Sequence, residues 1–194
     1  MPETTSAATL AASVKILIAG GFGVGKTTMV SSISEIAPLR TEELITELST
    51  GVDDLSGVES KTTTTVALDF GRITIDQSLV LYLFGTPGQD RFWFLWDELA
   101  RGALGAVVIA DTRRLTNSFA AIDYFERRGL AFAVAVNCFD GAAVYTVDEV
   151  CDALDLDPHI PVVLCDARDR ASCKTVLMTL LEHLIERAVS RTAR

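Results

Sequence analysis

Short apolar runs alternate with longer amphipathic stretches along this chain. Residues 14–19 (VKILIA) are a short apolar run ending in glycines, the pattern of a buried strand. Residues 27–36 follow as a helix, stopped ahead of Pro38. Residues 38–61 are polar and acidic and are interrupted by Gly51 and Gly57. They read as a long connection with a helical stretch at 41–48, and connections this long are uncommon unless functional. Residues 66–70 with 72–75, then 79–84, are strand-like, and the turn Asp76-Gln77-Ser78 between them predicts an antiparallel hairpin. Later strands are expected at 106–110, 131–136 and 161–165, with helices at about 91–101, 115–128, 146–154 and 172–189. In the last helix Leu177, Leu180, Leu181, Leu184 and Ala188 fall on one face. This alternation predicts an α/β fold: a central, mostly parallel six-stranded sheet with one antiparallel strand and helices on both faces.

At 194 residues the chain is expected to hold one domain over 14–189, with a flexible polar leader at 1–13 and a basic tail at 190–194. No apolar run reaches the roughly 20 residues of a membrane span. The opening MPETTSAATLAAS lacks the basic and apolar regions of a signal peptide, and neither Met-Pro at the start nor RTAR at the end signals lipidation. A cytoplasmic protein is expected, reaching membranes only through partners. The formal net charge of −9 disfavours nucleic acid as a partner, because no basic field exists to displace counterions. The four cysteines show no CxxC spacing and are expected to be reduced thiols.

The chemistry is concentrated in GGFGVGKTT, which contains G-x-x-x-x-G-K-[ST] as Gly20, Gly25, Lys26 and Thr27. A strand feeding a glycine-rich loop feeding a helix builds a phosphate site. Backbone N–H groups from about Gly23 through Val24 to Thr28 would face the phosphates, with the helix N-terminus adding partial positive charge. Lys26 would bridge the outer phosphates, and the Thr27 hydroxyl would ligate Mg²⁺. The motif does not choose between ATP and GTP. That choice falls to Asn137 and Asp140, spaced N-x-x-D at a strand end. A carboxylate there accepts hydrogen bonds from guanine N1–H and N2–H₂, donors that adenine lacks at that edge. The next strand ends Asp166-Ala167-Arg168, where a backbone N–H near Ala167 could donate to guanine O6.

With these boxes in place the chain resembles the Ras-like small GTPases over residues 14 to about 187. FGTPGQDRFW, the KTTTT run and NCFD carry a closer similarity to the bacterial polarity and gliding-motility branch and its conservon-type members. The resemblance implies a GTP/GDP switch that uses Mg²⁺ and signals through roadblock-fold and sensor-kinase-type partners. It implies that Gly88 donates its N–H to the γ-phosphate and that Gln89 orients the attacking water. Thr65, in T-x-x-x-D-F spacing, is the expected switch threonine on Mg²⁺, with Thr64 as the alternative in a blurred register. Two departures stand out. Cys138 replaces the lysine of N-K-x-D, which implies weaker nucleotide affinity with guanine preference kept. Gly85 stands where the family holds the aspartate that anchors Mg²⁺ through water. Asp111 is a candidate replacement, or else a cap on the following helix. Arg40 and Lys61 are finger candidates in the long connection, with solvated surface as the plainer reading. Phe22 occupies a position often held by glycine, where its bulk would crowd Gln89 and slow turnover.

In Phe92-Trp93-Phe94-Leu95-Trp96, at about 100° per residue, Phe92, Leu95, Trp96 and Leu99 share one face and Phe94 points away beside Asp97 and Glu98. Phe94 with Trp93 is the expected partner surface. His159 and His183 read as structural or solvated. Two functions are carried forward: a GTPase switch with slow hydrolysis, and a non-hydrolysing nucleotide-dependent adaptor. A P-loop ATPase or kinase ranks third.

Overall fold

A computed structural model describes residues 12–37, 39–45, 64–88 and 94–192. The elements run β1 (Ala12–Ala19), α1 (Lys26–Ile33), β2 (Leu39–Ile45), β3 (Thr64–Thr74), β4 (Leu79–Gly85), α2 (Phe94–Ala100), β5 (Ala103–Ala110), α3 (Phe119–Arg128), β6 (Phe132–Asn137), α4 (Val147–Leu154), β7 (Val162–Cys165) and α5 (Arg170–Thr192). The sheet order is β2-β3-β4-β1-β5-β6-β7. β1 lies parallel between β4 and β5, β6 pairs parallel with β5, and β7 with β6. β3 alone runs against its neighbours, antiparallel to both β2 and β4. The expected mostly parallel α/β fold with one reversed strand is therefore present.

Among the described residues the sheet has seven strands, one more than the six expected. Its added strand, β2, occupies residues where a helical stretch at 41–48 was expected. Seven consecutive pairs with β3, from Leu39–Phe70 to Ile45–Thr64, supply backbone partners that outweigh local helix propensity. The two strand fragments at 66–70 and 72–75 form one continuous strand, because Gly71 lets β3 pass close over α1: a Cβ there would meet Val30 Cγ1 at 2.9 Å. Asp76 Oδ1 accepts from the Ser78 N–H at 2.6 Å and from its hydroxyl at 2.7 Å, fixing the hairpin turn.

Alternation along the strands divides the core in two. Ile16 and Ile18 of β1 point with Leu81, Leu83, Val107 and Ile109 toward α1 and α5. Leu17 and Ala19 point with Val108 and Val134 toward Trp96 of α2 and Ile122 and Phe125 of α3. α5 buries Cys173, Val176, Leu177, Leu180 and His183. Leu177 and Leu180 of the expected face are thus buried, Leu181 and Leu184 are half-buried against the same core, and Ala188 is exposed. The expected helix at 115–128 opens instead with a 3₁₀ segment, Thr112–Ser118, kinked at Arg114 (φ −147°, ψ 52°).

The five mutually parallel strands deliver their carboxyl ends to one edge, with connections leaving in both directions from β1. Ligands bind at such an edge in open α/β sheets.

Candidate functional site

β1 ends in the glycine loop at this edge. Gly20 has φ 132°, and a Cβ there would lie 2.4 Å from the Ile109 carbonyl oxygen of β5. Gly25 has φ 110°, and its Cβ would lie 2.7 Å from Asn137 Nδ2. Both positions need glycine for backbone reach as well as for conformation. Gly25 is the N-cap of α1, yet no side chain caps that helix and its first turn holds no acidic residue. Its leading N–H groups and positive dipole end are therefore free to face an anion. Val24 is buried, Gly23 is exposed at the loop crest, and Thr28 is exposed in the first turn.

Lys26 does not project into solvent. Its ammonium folds back along the loop and donates to the carbonyls of Gly20 at 2.8 Å and Gly21 at 2.6 Å. Burial lowers its pKa to about 8, and the Asp69 carboxylate opposes that shift.

The Thr27 hydroxyl donates to Asp69 Oδ2 at 2.5 Å. Asp69 is buried on β3. A Cβ on Gly85 would lie 3.0 Å from Asp69 Cβ and 3.2 Å from its Oδ2. The strand end that lacks a carboxylate of its own thus leaves just the room that Asp69 fills from the neighbouring strand. Asp111 is not at this position. It is buried at the end of β5 and accepts from the Arg113 N–H at 3.0 Å, Nε at 2.9 Å and Nη2 at 2.8 Å. It caps the 3₁₀ segment, and the Arg113 guanidinium holds its carboxyl below the usual range. The sequence left both readings open; the geometry selects the cap. An Asp69 carboxylate beside a threonine hydroxyl is an all-oxygen donor pair, the chemistry Mg²⁺ takes when phosphates and water complete its shell.

Residues 85–88 lie across the phosphate loop. The Thr86 N–H donates to Ile18 O at 2.9 Å. A Cβ on Gly88 would sit 2.5 Å from Lys26 Nζ and 2.8 Å from the Gly21 carbonyl. Trp96 Nε1 donates to Pro87 O at 3.2 Å, and its ring packs on Phe125 and Tyr124. This segment is thus pinned between the loop and the core.

Beside the phosphate loop stands Asn137, buried at the end of β6. Its Nδ2 donates to Val24 O at 3.0 Å, and its Oδ1 accepts from the Ala167 N–H at 3.0 Å. One amide thereby ties the phosphate loop to the loop after β7. It also engages the Ala167 N–H that the sequence offered to a base oxygen, so such a base contact would have to share that donor. Asp140 is exposed and paired with Arg168. Cys138 is exposed, and Phe22 is 67% exposed.

Thr65 lies within β3, in register with Leu44, and Thr64 with Ile45. Arg40 stands in β2 opposite Asp69. Gln89, Lys61, Phe92 and Trp93 lie outside the described residues. On α2, Trp96 is buried, Leu95 and Leu99 are half-buried, and Phe94, Asp97 and Glu98 are exposed, the division expected from the helical pattern. The site thus joins Gly20, Gly23, Val24, Gly25, Lys26, Thr27, Gly88, Asn137 and Ala167. Asp69 and Arg168 were missed as site residues. Asp69 was legible in the hairpin register, which pairs Phe70 with Phe84 and so brings the next residue, Asp69, beside Gly85. The four cysteines are free thiols. Among the described residues no helix is long and apolar enough to cross a membrane.

A mostly parallel sheet, a loop whose Gly20 and Gly25 leave no room for a Cβ, and an uncapped helix behind it define a P-loop fold of the G-domain type. The chain belongs to the family described as conserved hypothetical ATP-binding proteins, whose model matches residues 18–187. It is 32% identical over 101 residues to an uncharacterized protein of Methanocaldococcus jannaschii, a match spanning 52% of this chain and 53% of that one. The chain thus matches about half the length of that relative. Among solved structures it is similar to the cytosolic domain of the T. maritima FeoB iron transporter in a GDP form (TM-score 0.63, 18% identity, 90% of this chain and 64% of that one). It is also similar to the G domain of the same transporter (TM-score 0.58, 21% identity, 91% and 99%). The FeoB G-domain from Methanococcus jannaschii is a third (TM-score 0.59, 14% identity, 89% and 98%). At these identities the likeness is one of fold.

Proposed function

We propose that this protein is a guanine-nucleotide switch that binds GTP and GDP with Mg²⁺, hydrolyses GTP slowly and signals through protein partners. The observation that carries the reading is the Asn137 bridge. It ties a buried amide to the phosphate loop and to the loop after β7, with the exposed Asp140 three residues further along the chain. A carboxylate there favours a base with two adjacent N–H donors and leaves an adenine unmatched. The family's description, ATP binding, favours the rival adenine reading. Calorimetry with GTP, GDP and ATP decides between them: tighter binding of guanine nucleotides is expected, and equal affinity for ATP refutes the base assignment.

The Asp69–Thr27 pair supports hydrolysis over the adaptor reading, because the carboxylate missing at Gly85 is supplied from β3. When bound, Mg²⁺ would neutralise charge on the outer phosphates. Thr27 and Asp69 would hold it, with Thr65 proposed as the further ligand. Lys26 would turn from the loop carbonyls to the phosphates, and Gly88 would offer its N–H. Gln89 would orient water. Phosphate release from GTP, measured with and without Mg²⁺, tests this.

The boxes FGTPGQDRFW, KTTTT and NCFD support a place in the bacterial polarity and conservon-type branch. Roadblock-fold or sensor-kinase-type partners would then read the GTP form through Phe94, which is 59% exposed, and Trp93. Pull-downs in GDP and in a non-hydrolysable GTP analogue, with wild type and the double variant Phe94→Ala/Trp93→Ala, test that surface. Equal recovery in both nucleotide states defeats it.

A further inference from the structure

Asp140 does not stand unpaired. Arg168 Nη1 donates to its Oδ2 at 2.7 Å and Nη2 to its Oδ1 at 3.1 Å. This is a fork of two parallel N–H donors on one carboxylate. The Watson–Crick edge of guanine, N1–H beside N2–H₂, presents the same donor pattern to the same two oxygens. The guanidinium is also held by Asp166, with Nη2 shared between the two carboxylates. Nε donates to Asp166 Oδ1 at 2.9 Å and to Oδ2 at 3.2 Å, and Nη2 donates to Asp166 Oδ2 at 2.8 Å. Asp166 is itself anchored, its N–H donating to Ser172 Oγ in the first turn of α5 at 2.9 Å.

We propose that Arg168 is an affinity-setting residue of the base pocket: it forks onto Asp140 as a guanine would, so the base enters by exchanging with it.

The inference rests on the reading of Asp140 as the guanine acceptor. The exchange is feasible because the pair is accessible, with the Asp140 side chain 84% exposed and that of Arg168 56%. It is reversible because Asp166 retains the guanidinium when Asp140 is released. No proton moves: Arg168 stays charged, and both carboxyls are held below their usual range chiefly by hydrogen bonds from Arg168. Exposed ion pairs are individually weak, so the effect should be modest, about threefold to fivefold. A lysine at 168 can reach only one oxygen at a time and should compete less well.

The test is stopped-flow association and equilibrium binding of fluorescently labelled GDP to wild type, Arg168→Ala, Arg168→Lys, Asp140→Asn and the double variant Arg168→Ala/Asp140→Asn. Arg168→Ala should associate about three to five times faster and bind correspondingly tighter, with Arg168→Lys between it and wild type. In the Asp140→Asn background the Arg168→Ala acceleration should vanish, a coupling that a merely structural role would not produce. Unchanged or slower association in Arg168→Ala overturns the inference, while weakened GDP binding by Asp140→Asn keeps the base pocket standing. If Asp140→Asn binds GDP as wild type does, the base-pocket reading itself fails, and the competition fails with it.

Discussion

Lys26 is the residue at which binding and stability pull in opposite directions. In the folded chain its pKa falls from 10.5 to about 8, chiefly through burial. At 1.36 kcal/mol per pH unit that gap corresponds to about 3.4 kcal/mol. Below pH 8 both folded and unfolded chains carry the charged lysine, and the folded state bears the full cost of burying it. Between about pH 8 and 10.5 the unfolded chain binds more protons than the folded one, so stability rises with pH across that window. Above 10.5 both are neutral and the cost is gone. Lys26→Met keeps the buried stem and removes the charge. It also loses the two hydrogen bonds to the loop carbonyls, which are charge-assisted only while the lysine is protonated; the pH dependence of wild type is set by the gap between its folded and unfolded pKa, with those bonds already included. Urea denaturation of both proteins at pH 7, 8, 9 and 10.5 isolates the charge. The stability of the variant relative to wild type should drop by about 2–3 kcal/mol from pH 7 to 10.5, while nucleotide binding is lost at every pH. Every other group is common to both proteins and cancels in the difference. A difference that stays constant with pH refutes the claim that Lys26 is held against its charge. Unchanged GDP affinity in the variant refutes the phosphate site.

Asn137→Ala leaves the Val24 carbonyl and the Ala167 N–H unpaired in a buried position, and should cost about 2–5 kcal/mol by urea denaturation and most nucleotide affinity. Asp69→Asn keeps the volume beside Thr27 but removes the charge; the tightening of GTP binding by Mg²⁺ should fall 10–100-fold, with affinity in chelator nearly unchanged. Gly88→Ala drives a Cβ to 2.5 Å from Lys26 Nζ and 2.8 Å from Gly21, so it should displace the segment across the loop, cost about 1–3 kcal/mol and alter Trp96 fluorescence. Asp140→Asn should shift preference from guanine toward xanthine nucleotides, because the amide can donate to the oxygen at position 2, as competition binding would reveal.

Local rules were enough to locate most of this protein. Apolar runs bounded by glycine marked the strands of the parallel sheet, because such strands are buried on both faces and tolerate few polar residues. The phosphate loop was legible because its glycines are demanded by backbone geometry within a few residues, at Gly20 and Gly25 above all. The division of α2 into a buried Trp96 and an exposed Phe94 followed from helical periodicity alone. What the sequence left open depended on pairings distant in the chain. β2 exists because β3 satisfies its backbone, a partner some two dozen residues away. Asp69, not Asp111, stands beside Thr27 because a hairpin register carries it there, and no local pattern ranks two carboxylates by distance to a hydroxyl. Arg168 closed on Asp140 because the ends of separate strands brought the two groups together, whereas Lys26 turned inward onto carbonyls of its own loop, an arrangement that depends on the folded path of that loop and not on spacing. Periodicity and spacing state which groups are present on an element; the free energy of their pairing across the sheet edge decides which of them meet.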